Sequence, residues 1–355
     1  MDWLSSSGRI DTFRYVRVTR GSWHEAEELH GITGGELERN DLTAIKSSGS
    51  LDYIEEPFLG RDLLRVWSDS FDPATGERMS IAHGTFLVST PSSTFRGSIE
   101  EGSADLYGVL QVLAEDAFEE PLVLPAGTLA VAKAAEIVRG CDLPVVASPS
   151  TAALNQDAVF DDDDASKLDA VNWLMDFAGF ASAGCDGYGN VLLRPYIDPT
   201  GRKPSLSLVD DEFCIYRSGI EREFDSFDVP NVVIATCSSA EDSGLVPAEA
   251  VNDDPMSAFS TIARGRRIVH REKVNDIADQ AALQAKAEAL LAEKMAVAES
   301  FEISHAFIPM EMGEVCDFVY GRAGIHRDDL VAVRQTMKLR PGMECTTHFR
   351  RFVRR

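Results

Sequence analysis

The spacing of apolar residues changes twice along this chain, and that change constrains the fold more than any single motif does. Through the first hundred residues the period is that of a strand. TFRYVRVTR sets Phe13, Tyr15 and Val16 or Val18 among polar residues, and IAHGTFLVST is β-branched and aromatic at strand length. Turn signals separate such runs: TGG at 33–35, SSGS at 47–50 and DPATGE at 72–77. An antiparallel β-rich domain, a small barrel or split barrel, is expected there.

The period then becomes helical. Ser103 stands as a capping residue ahead of ADLYGVLQVLAEDAF, where Leu106, Val109, Leu110 and Leu113 keep helical spacing. A second helix is predicted from about Thr128 to Arg139, closed by Gly140. A third, SKLDAVNWLMDFAGF, puts Leu168, Val171, Leu174, Met175 and Ala178 on one stripe. GCDGYGNVLLRPY follows as strand, glycine turn and strand. Strands resume around DEFCIYRSGIEREFDSFDVPNVVIATCS, and a polar loop over about 239–257 leads to one long helix near Asp276 to Glu299, with Ile277, Leu283, Ala287, Leu290, Leu291 and Ala298 on its buried stripe. FEISHAFIP, VCDFVYG, LVAVRQTMKLRPG and ECTTHFRRFV close the chain as strands, and no short repeat period is present. The expected organisation is 1–104 β-barrel, 105–205 α/β, 206–240 with 300–355 a second β-barrel, and 241–299 a loop and helix packing with the α/β segment.

With 355 residues, 44% of them hydrophobic, the chain is long enough for two or three domains with sizeable cores. Its 58 acidic residues against 34 Lys and Arg give a net charge of −24 and a pI near 4.6. That field repels phosphate, so a nucleic-acid grip that relies on neutralising the backbone is excluded, whereas a surface past which DNA must slide without sticking would want this sign. No apolar run has the length of a signal peptide or a membrane span, so synthesis in the cytoplasm without membrane insertion by this chain is expected. Cys141, Cys185, Cys214, Cys237, Cys316 and Cys345 are scattered without a C-x-x-C pair, which favours buried free thiols.

Candidate chemistry is sparse. SWHEAEELH brackets three glutamates with His24 and His30, but six residues turn a helix by about 600°, leaving the rings about 240° apart, and in a strand they stand roughly 20 Å apart. Two solvated polar residues beside an acidic patch are expected instead of a metal pair. The run Asp161–Asp164 lacks the calcium-loop spacing and precedes a helix, where acidic residues complement the macrodipole. GCDGYGN lacks the lysine and helix of a phosphate loop, and no G-x-S-x-G elbow is present. Paired carboxylates such as Glu55 and Glu56 leave open a soluble glycan hydrolase acting through barrel-loop carboxylates. From Arg334 to the end, seven basic residues (Arg334, Lys338, Arg340, Arg350, Arg351, Arg354 and Arg355) meet one acid, Glu344. This cluster either balances local acid or makes an electrostatic contact with an acidic neighbouring subunit or partner, with Arg350, Arg351, Arg354 and Arg355 as the contact residues. Arg264, Arg266 and Arg267 in IARGRRIVH belong to a turn and strand.

Over nearly its whole length the chain resembles bacteriophage tail hub proteins, the baseplate hub or tail-tip components related to the base of contractile injection needles. The resemblance rests on GITGGELERNDLTAIKSSGSLDY, on LDAVNWLMDFAGFASAGCDGYGNVLLRPY, and on NDDPMSAFSTIARGRRIVHREKVNDIADQAALQAKAEALLAEKMA. It implies an α+β fold, two related β-barrel domains of tail-hub type with an intervening α/β layer, assembled as a homotrimer whose six barrels match a sixfold tail tube. It further implies a non-enzymatic ring with no catalytic residues, cofactor or metal, joining a distal tail or tube protein ring to a central spike or fibre protein. The tape-measure protein is a further implied partner, DNA passes without specific binding, and the location is the virion. By the same resemblance SWHEAEELHGITGGELERN is the entry to the first barrel, with Trp23 and Leu29 packed and the acids facing solvent. The chain stops at Arg355 without a lysozyme, peptidase or fibre segment, so cell-wall degradation is expected of a partner.

Overall fold

The structure is a computed structural model that describes residues 3, 8–54, 57, 59–96, 99–160, 165–199, 202–211, 214–217, 219–224, 229–237, 245–257, 259–274, 280–296 and 299–351. Strands dominate, with 47% of residues against 16% in helices.

The first strands are β1 (Ile10–Thr19), β2 (His24–Leu29), β3 (Ile32–Asn40), β4 (Ser47–Tyr53), β5 (Leu63–Phe71), β6 (Arg78–Arg96) and β7 (Ile99–Gly108). All pair antiparallel with their neighbours. Their inward residues, among them Tyr15, Leu37, Leu51, Leu64, Val66, Phe86 and Leu106, share one core. Alternation in TFRYVRVTR is the cause: Tyr15 turns to this core while Val18 turns to the core on the other side.

A helical middle follows, with α1 (Gln111–Ala114), β8 (Leu122–Leu124), α2 (Ala130–Gly140), β9 (Val145–Ala147), β10 (Ala158–Phe160), α3 (Lys167–Phe177), β11 (Gly184–Cys185) and β12 (Val191–Leu193). Helix α3 starts where Ser166 and Asp169 form a reciprocal capping box, and it buries Leu168, Val171, Leu174 and Met175 against α2. The helix expected after Ser103 is not formed. Ser103 lies inside β7, and only α1 is helical. Leu106 sits opposite Gly49 and Val88 in the sheet, while Val109, Leu110 and Leu113 enter the neighbouring core. Apolar residues at helical spacing here serve two cores, one on each side of a bend, and the ladder partners of β7 outweigh local propensity.

The remainder comprises β13 (Leu206–Val209), β14 (Glu221–Phe224), β15 (Val232–Cys237), β16 (Ala248–Val251), α4 (Thr261–Arg264), β17 (Val269–Val274), α5 (Gln280–Ala296), β18 (Glu299–Ala306), β19 (Val315–Tyr320), β20 (Ile325–Lys338) and β21 (Glu344–Arg351). Helix α5 lays Leu283, Ala287, Leu290 and Leu291 on the sheet β16-β15-β17. Ile277 and Ala298, expected on the same stripe, lie outside the described residues.

The main sheet runs β14-β18-β21-β20-β3-β4-β7-β6-β5-β1-β2, with β19 beside β20 and β13 beside β19. Two separate closed barrels are therefore not what the described strands form: the sheet is open and continuous, because β20 pairs with β19 near its start and with β3 near its end. The sheet nonetheless curls. Arg9 Nη1, at the start of β1, donates to Phe307 O at 3.1 Å, and Phe307 N donates to Met343 O at 3.0 Å beside the β20–β21 turn. Gly35 makes the crossing from β3 to β4 close, since a Cβ there would overlap Ser50 O and its φ of +144° suits glycine.

A row of polar groups threads the interior. Arg39 donates to Gln335 Oε1, Gln335 Nε2 donates to Thr347 Oγ1 at 3.0 Å, and Thr347 is 2.7 Å from His305 Nε2. His305 Nδ1 lies 2.8 Å from Ala306 O, which assigns the proton to Nδ1 and leaves Nε2 to accept from Thr347. His83 Nε2 is 2.7 Å from Ser68 Oγ, with the ring edge-on to Phe307. Burial, with a contribution from Arg39, pushes the His83 imidazole down to about 3, and burial lowers His305 as well. Both histidines are thus neutral in the folded chain.

Two outcomes follow. Leu106→Ala should cost roughly 2–5 kcal/mol in urea unfolding, because it empties a fully buried position in the sheet core. Below the ordinary histidine value of 6.5 the unfolded chain binds protons that folded His83 refuses, so stability should fall as pH drops from 6.5 toward about 3. Urea midpoints at about pH 7 and about pH 4.5 measure that loss, and His83→Gln should reduce it.

Candidate functional site

The stretch SWHEAEELH is where the sheet meets the helical middle. Trp23, at a positive φ of 58°, turns its indole onto the helical unit, and Nε1 donates to Asp142 O at 3.1 Å. Glu25 Oε1 accepts from Arg65 Nη1 at 2.7 Å and from Trp67 Nε1 at 3.1 Å. Arg65 is buried on β5 and spends its other donors on Thr85 Oγ1 (3.0 Å) and Tyr188 O (2.8 Å). Thr85 in turn donates to Gly187 O at 3.0 Å. A guanidinium taken out of water is tolerated when its fork is filled in this way, and the carboxylate of Glu25 supplies the counter-charge.

The GCDGYGN turn is the other half of this seam. Asp186 Oδ1 accepts from the N–H groups of Tyr188 (3.0 Å) and Asn190 (2.9 Å), which fixes a tight β11–β12 hairpin. The hairpin tip seats on the sheet, where Tyr188 stands edge-on to Trp67 and under the Arg65 guanidinium. A Cβ on Gly187 would overlap Ala82 O, so only glycine lets the two backbones approach. The expectation for Trp23 and Leu29 holds, since both pack against core residues. Glu27 and Glu28 are exposed as expected, but Glu25 is turned to Arg65. Sequence inspection missed Arg65; the available signal was a lone cation inside the apolar run LLRVW.

The basic C-terminal residues are partly spent within the chain. Arg334 pairs with Glu38 (3.2 Å), Lys338 with Glu36, and Arg340 with Glu344 (2.6 Å). Arg350 and Arg351 lie in β21, Arg350 opposite Ser300 and Val331 and Arg351 opposite Leu330, and both are half-buried. Arg354 and Arg355 lie outside the described residues, as do Glu55, Glu56 and Asp161–Asp164. All six cysteines are free thiols.

Among the described residues no group of three or more His, Cys, Asp or Glu is arranged to hold a metal. His24 opens β2 and His30 follows its end. A shallow pocket of about 180 Å³ is walled by Phe160, Trp173 and Phe177, with Asp157 its one carboxylate, already accepting from Ala126 N at 2.8 Å. One carboxylate does not make the acid and base pair of a glycosidase. Asp62 and Asp69 are held below the usual carboxylate range by hydrogen bonds from Arg17 and Arg14, opposite to the shift a general acid needs. The Trp23, Arg65 and Thr85 contacts join the sheet to the helical middle.

No family model matches the chain, and no curated protein matches it. Solved structures do. The tail protein from Neisseria meningitidis MC58 superposes with a TM-score of 0.69 at 13% identity, covering 96% of each chain. The 43 kDa tail protein of prophage MuSo2 from Shewanella oneidensis superposes at 0.65 with 10% identity, over 96% of this chain and 98% of that one. A chain of the half-lidded PdpA-VgrG complex of Francisella matches at 0.57 with 9% identity, over 98% of this chain and 58% of that one. The chain has a tail-protein fold.

Gly187→Ala should open the seam and destabilise the protein by about 2–4 kcal/mol in urea, and Thr85→Ala, which removes two hydrogen bonds and takes the acceptor from the buried Arg65 Nε, should cost about 1–3 kcal/mol. Limited proteolysis within 109–195 should accelerate in the glycine variant.

Proposed function

We propose that this chain is a structural, non-enzymatic subunit of a phage tail, a hub ring at the tail tip or baseplate. The ring joins the tail tube to a central spike or fibre and lines part of the DNA exit channel. The observation that carries this reading is the tail-protein fold, matched along 96% of the chain by two tail proteins. The fold shared with a chain of a PdpA-VgrG complex supports a spike as one partner. A distal tail or tube protein ring and the tape-measure protein are the others.

Three copies make the ring. Each contributes two sheet-built halves, reading 1–104 and 206–240 with 300–355 as the two halves of the open sheet and 105–205 as the layer between, so that six similar units face a sixfold tube. Curling of the sheet from β1 back to Phe307 supports a barrel-like first half. A charge of −24 per chain becomes −72 in three copies and suits a channel that DNA crosses without binding. Arg350, Arg351, Arg354 and Arg355 are assigned to the contact with an acidic partner. The chain is made in the host cytoplasm and ends in the virion.

Light scattering after size exclusion should return about 116 kDa, three chains of 38.8 kDa, with a central hole in electron-microscope class averages. A chain that stays monomeric alone and with candidate tail proteins, at low and high salt, sinks the reading.

A further inference from the structure

Two small sheets each have one face in a core and leave exposed valines on the other, and the charges around those valines are opposite in sign. In the pair β8–β10, Leu124 is buried and Leu122, Ala158 and Phe160 pack against the same core, while the facing residues Val123 and Val159 point outward at 58% and 52% exposure. Glu119, Glu120 and Asp157 are exposed around this valine pair. In β16-β15-β17, helix α5 covers the face of Val233, Ala235, Ala248 and Ala250. By strand alternation the opposite face carries Val251 and Val269, 40% and 47% exposed, on either side of Val232, which is itself buried, together with exposed Arg271 and Lys273. Glu249 on that face is already paired with Arg267, so its surplus charge is positive.

The geometry points to a head-to-tail contact between copies of this chain, in which the acidic β8–β10 valine face of one copy seats on the basic β15–β17 valine face of the next. Apolar centres with opposite charges around them are complementary surfaces, and in a protein of net charge −24 a basic apolar face is matched by the acidic face of another copy. The two faces belong to different parts of the chain. The helical unit carrying β8–β10 is fastened at the β1, β5 and β6 end of the main sheet through Trp23, Arg65 and Thr85. The unit carrying β17 leaves the chain between β14 and β18, at the other end of the same strand order. Different patches on one subunit make a heterologous contact, which closes into a ring when the rotation allows. The inference rests on the proposed ring and says which faces build it.

The full chain with Arg271→Glu and Lys273→Glu should self-associate about tenfold or more weakly in sedimentation velocity. Adding Glu119→Lys and Glu120→Lys to that chain should restore association, and raised salt should weaken the native contact. Val123→Ser with Val159→Ser, at solvent-facing positions, should give a comparable loss with an unchanged melting temperature, a second reading of the contact where a charge-reversed chain does not fold. A native chain that forms a ring indifferent to all of these substitutions overturns this contact and leaves the proposed ring standing. A native chain that is monomeric throughout overturns both.

Discussion

The pairing of β20 with β3 is the constraint on which the architecture depends. Residues Arg334–Lys338 lie opposite Glu36–Asn40, so positions 300 apart in sequence, Met337 and Leu37, are neighbours. Nearer its start the same strand lies between β19 and β21, and an irregularity between Ala332 and Arg334 marks the change of partner. One strand thereby serves two cores, with Leu330 and Ala332 in one and Met337 in the other. A bulge permits this because it re-aims side chains without breaking the ladder for long. The cost is kinetic: the ladder cannot form until nearly the whole chain is present, and its loop entropy must be overcome before any contact compensates for it.

Charge is distributed to suit that join. Arg334 and Lys338 meet Glu38 and Glu36 across the β20–β3 ladder, and Glu344 holds Arg340 and Arg217 beside it. Much of the basic cluster near the C-terminus is therefore neutralised by the chain's own acids. Individually such exposed pairs are worth little, but across a ladder they disfavour register slips that would set like charges opposite. Arg65 is a different case, since it is itself buried and its fork fixes the hairpin tip of the helical unit against the sheet.

How much was legible depended on whether a residue's environment is local. The helix at Ser166 was readable because its start signal, Ser166 with Asp169, is self-contained and its stripe of Leu168, Val171, Leu174 and Met175 faces one core. GCDGYGN was readable as a turn, since Asp186 caps it from within. ADLYGVLQVLAEDAF was misread because its apolar residues divide between two cores, which spacing alone does not reveal. The same blindness produced two closed barrels where the described strands form one continuous sheet: strand runs can be found locally, but the partner of LVAVRQTMKLRPG lies 300 residues away. The seam at Arg65 was missed since a single buried cation has no periodicity.

The sequence by itself determined the strand runs, the helices at Ala130–Gly140 and Lys167–Phe177, where turns fall, and the acid excess of the chain. These are properties of neighbours within a few residues and of a sum over composition. Only the tertiary structure decided which strand pairs with which, that β20 welds the two halves, and that Arg65 meets Glu25 and Tyr188. It also decided which valines remain uncovered. The physical reason is that backbone hydrogen bonds between strands carry no sequence code of their own, so register and partner are chosen by the cores that the whole chain buries together.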